Sequence, residues 1–232
     1  MFVGHYGVSF AASRADRRLP LWLTFLSVQW VDVMWAVFVL LGVEKVRIVP
    51  GITATNPLDL YYMPYTHSLV ASLGWSALAA LAYGWLARPA GQWRTAALLG
   101  ATVFSHWVLD LIVHRPDLPL WDDTAKVGLG LWNYPVPALL LEAAILAGGI
   151  ALYWKCVAGR GRRVVLLLFG ALLVVIQYSV FFGAPPSSPR QAAMMALISY
   201  AAFAWGAYRV AGGGFGTTPA PAGDGPAPSE SP

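Results

Sequence analysis

Charged residues are scarce in this chain. Only 11% of its 232 residues are Asp, Glu, Lys or Arg, where a soluble domain carries about 25%. With 58% hydrophobic residues and a mean hydropathy of +0.60, that scarcity excludes an ordinary soluble domain with a large core. Cysteine is nearly absent: Cys156 stands alone, so no intrachain disulfide forms, and nothing near it resembles a thiolate metal site. The N-terminus lacks the order of a cleavable signal peptide. In MFVGHYGVSFAASRADRR the basic cluster follows the apolar stretch, so the chain is expected to stay whole. Histidine is rare as well, with four in all and none beyond position 114. The net charge of +4 has a topological explanation and calls for no nucleic-acid partner.

What is present is a series of apolar runs about 20 residues long, each sufficient to cross a bilayer. They fall at roughly 20–43, 68–87, 95–114, 136–156, 164–183 and 192–210. The expected fold is therefore all-α: a polytopic helical membrane protein of about six transmembrane helices. The first dozen residues are too short to span and read as a half-helix folding back on the 20–43 helix. Residues 1–210 form one integral-membrane domain, and the Gly/Pro/Ala-rich segment 211–232 is expected to be a disordered tail. No internal repeat and no pair of broken helices is visible.

Lysine and arginine set the expected orientation. Arg14, Arg17, Arg18, Arg88, Arg94, Lys155, Arg160, Arg162, Arg163 and Arg209 fall on one side, and Lys45, Arg47, Arg115, Lys126 and Arg190 on the other. The richer side, with turn 13–19 and the C-terminus, is expected to be cytoplasmic in an inner cell membrane. The long connections 44–66 and 115–135 then face outward. There Tyr61, Tyr62, Tyr65, Trp121, Trp132 and Tyr134 serve as interfacial anchors.

The stretch SHWVLDLIVH at 105–114 places His106, Asp110 and His114 in one of the most apolar regions. Four residues turn a helix by about 400°, so each step drifts only about 40° and all three share one face. An Asp near mid-bilayer costs about 2.5–3.5 kcal/mol on insertion scales, which calls for compensation. A divalent metal supplies it, because imidazole and carboxylate are its usual ligands. His67 in PYTHSL stands at the outer mouth of the second span. Asp32 in VQWVD is buried in the first, and Glu142 in ALLLEAAIL lies inside the fourth. Rising from the turn at 14–18 by about 1.5 Å per residue, His5 reaches roughly 13 Å and Asp32 roughly 20 Å, so the two can meet in the outer half. The last two segments read as packing elements. Each polar residue also has a plain reading as a hydrogen-bonded packing group. Ser68 reads as a helix cap rather than a nucleophile.

The ordered set GHYG, VQWVD, YTHSL, SHWVLD resembles the bacterial membrane-bound metal-dependent hydrolases, a family described by its similarity to zinc-dependent phospholipase C. The likeness covers roughly residues 1–145, and HRPDLPLW and GLGLWN resemble segments of a subgroup of small bacterial membrane proteins. It implies metal ligands at His5, Asp32, His67, His106 and Asp110. Where the family often shows a PD pair this chain reads QWVD, one carboxylate fewer, so one or two ions are expected rather than three.

Two functions of different class follow. The first is a metal-dependent hydrolase acting on a lipid or lipid-linked phosphodiester. It would use Zn²⁺ held by those five residues with His114 as a ligand or support, Asp32 or Glu142 as general base, and Arg115 for an anionic phosphate. The second is a metal-ion or proton transporter using the same cluster as a relay. Haem held between His67 and His106 ranks third, because it leaves Asp32 and Asp110 unexplained. A purely structural membrane protein is the remaining reading.

Overall fold

The computed structural model describes residues 1–86 and 92–212. Arg88 and the tail from 213 onward, expected above to be disordered, lie outside the described residues. The described chain is mostly helical: α1 (His5–Ala15), α2 (Leu21–Val28), α3 (Trp30–Leu40), α4 (Leu69–Leu86), α5 (Trp93–Val113), α6 (Pro135–Tyr153), α7 (Arg160–Phe182) and α8 (Pro189–Val210). Between α3 and α4 the connection folds into an antiparallel hairpin of β1 (Lys45–Ile48) and β2 (Leu58–Tyr62).

Helices α4, α5 and α7, and α6 with its extension to Cys156, are long and apolar enough to cross a membrane. The pair α2–α3 adds a fifth such segment if it is counted as one, but it is bent by 53°. The first helix, expected to run unbroken over 20–43, is thus a single broken segment. The break falls at Gln29 (φ −101°, ψ 7°), whose side-chain amide donates to the Phe2 carbonyl at 3.2 Å. A polar side chain that finds a partner across the fold lets the backbone leave helical geometry there. The segment at 192–210 forms α8, which has the length of a span. Arg190, Gln191, Ser199 and Arg209 leave it outside the apolar set.

Helix α1 is the expected half-helix. It packs on α2, and more extensively on α6 than the sequence suggested. The reason is steric. A Cβ on Gly7 would lie 2.2 Å from the Ile145 carbonyl oxygen, and one on Gly149 would lie 2.2 Å from that of Gly7. Small residues let two helix backbones meet at this distance. Below the contact, Tyr6, Phe10, Phe25, Leu146, Leu173 and Phe203 form the larger apolar core, with Tyr6 stacked on Phe25 at 4.4 Å. A smaller apolar group at the opposite end joins Trp35, Val46, Leu60, Met63 and Leu118, seating the hairpin on α3 and α8.

The end of α3 determines where the hairpin begins. Gly42 takes φ +73°, the Val43 amide donates to the Phe38 carbonyl at 2.8 Å, and the Gly42 amide donates to Val39 at 3.1 Å. That is a Schellman closure, which favours glycine at the left-handed position. It reverses the chain and turns Glu44 inward, where it is almost fully buried.

Candidate metal centre

Four histidines and two aspartates meet between the inner end of the hairpin and helices α1, α3 and α5. Asp32 lies in the first turn of α3, His67 in the turn before α4, and His106 and Asp110 on one face of α5. His5 opens α1. His114 has left the helix: it caps α5 with ψ 143° and reaches the cluster from the turn rather than from the helical face. His5, His106 and Asp110 are buried to within 1%. Two groups of three ligand atoms have metal-binding spacing: His5, His106 and Asp110, and Asp32, His67 and His106.

The shortest circuit links both groups. Asp32 Oδ1 lies 3.2 Å from His67 Nε2 and 3.5 Å from His106 Nε2. Asp110 Oδ2 lies 3.0 Å from His106 Nε2, 3.8 Å from His67 Nε2 and 3.6 Å from His114 Nε2. Ligands bound at about 2.1 Å in a tetrahedron stand about 3.4 Å apart, so these edges suit a common centre. The other oxygen, Asp110 Oδ1, accepts from His5 Nε2 at 3.1 Å and from the Met1 amine.

The outward nitrogens decide which way the imidazoles present their lone pairs. His106 Nδ1–H donates to the Val28 carbonyl at 2.8 Å. His114 Nδ1–H donates to Asp117 Oδ1 at 2.8 Å. The Thr66 hydroxyl donates to Glu44 Oε2 at 2.7 Å, so it accepts from His67 Nδ1–H, 2.8 Å away. In the neutral rings all three Nε2 atoms are therefore acceptors pointing at carboxylates. His106 Nε2 is buried and makes no aligned hydrogen bond among the described residues. Acceptors converging on acceptors call for a cation between them, and a ring N–H held by carbonyl, hydroxyl or carboxylate is the usual support of a metal-binding histidine.

The support extends outward. Glu44 also accepts the Tyr65 and Thr66 amides at 2.9 Å each. Burial pushes its carboxyl above the usual range, while the Thr66 and Tyr65 donors hold it back. Tyr200 on α8 donates to Asp32 Oδ2 at 2.8 Å. A cavity of ≈ 160 Å³ opens beside the cluster, lined by Asp32, His67, Asp110, His114, Trp132 and Tyr200 among others. Asp32 is the most accessible of the cluster's carboxylates and imidazoles, with 17% of its side chain reached by solvent.

Four readings change. Glu142 does not join the cluster: its Oε2 accepts the Phe2 and Gly4 amides at 2.8 and 3.1 Å, and its Oε1 accepts from Gln177 Nε2 at 3.2 Å. It secures the backbone that carries His5. Arg115, expected to meet a phosphate, is engaged by the protein's own carboxylates. Its Nε donates to Asp117 at 3.1 Å and its Nη2 to Asp59, which also pairs with Arg47 at 2.6 Å. The last two helices are more than packing, since α8 supplies Tyr200 and α7 supplies Gln177. The axial-haem arrangement also fails, because His67 and His106 approach the same Asp32 oxygen with ring centroids 5.6 Å apart.

Sequence reasoning missed Glu44, Thr66, Asp117 and Tyr200. Asp117 had a local signal, three residues after His114. Thr66 had one as the neighbour of His67. Glu44 and Tyr200 depend on pairings 22 and 168 residues apart in the chain, for which the sequence holds no local sign. No family model, no curated protein and no solved structure matches this chain.

Proposed function

We propose that this chain is an integral-membrane hydrolase dependent on a divalent metal, most simply one Zn²⁺ held among Asp32, His67, His106 and Asp110. His5 and His114 stand as further ligands or supports. One observation carries the reading: three imidazoles with their Nδ1–H groups committed elsewhere turn Nε2 toward two carboxylates, buried Asp110 and half-buried Asp32. A bound ion supplies Lewis acidity, acidifying water and drawing charge from a phosphoryl oxygen. On the protein's side, Asp32 faces the cavity and is oriented by Tyr200, so it suits the role of proton acceptor better than Glu142. Tyr200 holds that carboxylate at its second oxygen. Buried walls around His106 and Asp110 keep bulk water from the ligands. The long apolar helices and the depth of the cluster favour a lipid or lipid-linked phosphodiester as substrate. The charge bias of the loops supports an inner-membrane site opening to the outer face.

The test is elemental mass spectrometry on protein purified without chelators, together with turnover of phosphodiesters. Near-stoichiometric zinc or manganese, lost along with turnover in His106→Ala and Asp110→Ala, is the expected result. A metal-free wild type that stays metal-free after reconstitution would sink the proposal.

The 53° break at Gln29 favours one competing reading, a metal-ion or proton permease, because discontinuous helices line transport sites. Flux of protons or zinc into proteoliposomes, abolished by Asp32→Asn in the absence of any turnover, would favour it.

A further inference from the structure

A second cavity, of ≈ 530 Å³, runs between α7, α8 and the 50–58 loop of the hairpin. The function proposed above does not use it. Its volume falls within the range of about 300–1,000 Å³ that holds a single small ligand. It is continuous with the cavity at the metal centre: Phe2, Thr55, Leu58, Val180, Ala196 and Tyr200 line both. Tyr200 is the hinge point between the two, since its ring borders the groove and its hydroxyl donates to Asp32.

The walls grow apolar away from that point. Ile176 and Val180 come from α7, and Met195 and Ala196 from α8. The polar groups there are short, the hydroxyls of Ser179 and Ser199 and the loop residues Thr53 and Asn56. None of the residues lining the groove is charged: the cluster's carboxylates line only the neighbouring cavity, on the other side of Tyr200. Val180 and Met195 are about half-exposed at the rim, so the groove is open between two long helices. Helix α7 is one of the segments apolar enough to cross a membrane, which puts that opening against hydrocarbon.

We infer that this groove is the binding site for the hydrocarbon chain of a lipid substrate, which enters from the leaflet between α7 and α8 and brings its phosphodiester to Asp32. The inference rests on the hydrolase reading and narrows its substrate class to a phosphodiester with a long acyl or isoprenoid chain. An apolar groove ending at the half-buried Asp32 carboxylate matches such an amphiphile at both ends. A hydrophilic phosphodiester would leave the groove unused.

Ser179→Phe and Ser199→Phe fill the groove from opposite walls without touching the cluster, and Ser179 is exposed enough for the change to be tolerated in the fold. Each variant, checked for folding by gel filtration, is compared with the wild type as zinc-loaded protein in detergent. One readout is photo-crosslinking by a phosphatidylglycerol with a diazirine at the chain end. The other is hydrolysis of that lipid beside soluble bis(p-nitrophenyl) phosphate. Labelling is expected on peptides spanning 176–199, falling about tenfold in both variants, with lipid hydrolysis falling likewise and soluble-diester hydrolysis within about twofold. Labelling unchanged by either substitution, or spread evenly over α4, overturns the groove even if the soluble diester is cleaved. Groove labelling with no cleavage of either diester sinks the hydrolase reading and leaves the chain-binding site standing.

Discussion

Helices α4 and α5 are neighbours of closely similar length and apolarity, yet they do opposite things. In the candidate span of α4 only 6% of residues are buried within the fold, against 50% for α5. Leu73, Leu78 and Leu81 of α4 point outward. Helix α5 turns Val103, His106, Trp107, Asp110 and Val113 inward. Hydropathy ranks the two alike because it averages over faces. The polar residues tell them apart, since a buried Asp and a buried His on a long apolar helix are stable only where partners meet them. Helix α4 has no such residue beyond its opening serines, and it functions as a brace holding α5 from one side.

The largest test of that contrast is to remove the chemistry from α5 and to cut apolar bulk from α4. His106→Ala or Asp110→Asn is expected to lower zinc affinity by more than about 100-fold, since second-sphere changes alone reach 10–100-fold. Leu78→Ala and Leu81→Ala together are expected to leave metal stoichiometry unchanged. Competition with a fluorescent zinc chelator reads both, and equal losses in the two sets would break the distinction.

Next comes the support behind the imidazoles. Glu44→Gln and Asp117→Asn each leave the ligands in place but weaken the acceptor that orients His67 or His114. Each is expected to cost about 10–100-fold in metal affinity. Retained affinity in both variants, by the same competition assay, would show that the rings are oriented by packing alone.

A smaller effect tests the brace itself. A Cβ on Gly100 of α5 would stand 2.8 Å from the Ser76 carbonyl oxygen and 3.0 Å from Ala80 Cβ on α4. Gly100→Val is expected to wedge the pair apart and destabilise the protein by about 1–3 kcal/mol. The fraction that remains folded should still bind metal. Thermal unfolding in detergent, followed by metal analysis of the folded peak, checks both parts.

The smallest effect lies at the far end of α5. Asp16 accepts hydrogen bonds from Arg18 and from Thr95 Oγ1 at 2.6 Å, tying the α1–α2 turn to α5. The Arg18 guanidinium, opposed by partial burial and aided by the Thr95 hydroxyl, holds the Asp16 carboxyl down at about 2. A folded-state value below the unfolded one stabilises the protein above about pH 4, and that contribution is lost as pH falls toward 2. The stability difference between wild type and Asp16→Asn should therefore be constant from neutral pH down to about 4 and shrink progressively toward zero at about pH 2. A difference that persists at the acid end would mean that the hydrogen bonds, not the charge, carry the contact.

Much of the site was legible before the fold was known. His106 and Asp110 share a face because a helix brings residues four apart together, and His5, Asp32 and His67 were expected in the same half from chain rise alone. Other features were not legible because they depend on how helices slide and rotate against one another. Glu142 was expected near the other polar residues, but α6 is rotated so that its carboxylate meets the amides of Phe2 and Gly4. Arg115 was expected to be free for a phosphate, and the hairpin delivers Asp59 to neutralise it.

The sequence by itself determined the helical architecture, four of the segments apolar enough to span, and the residue types that meet in the cluster, because these follow from composition and from the 3.6-residue period. The tertiary structure alone decided that the helix containing Gln29 breaks, that Tyr200 and Glu44 join the centre, and that α4 faces outward while α5 faces in. Those outcomes depend on hydrogen bonds and close contacts between residues far apart in the chain. No local pattern encodes them, because each requires two helices to be set at a particular height and rotation.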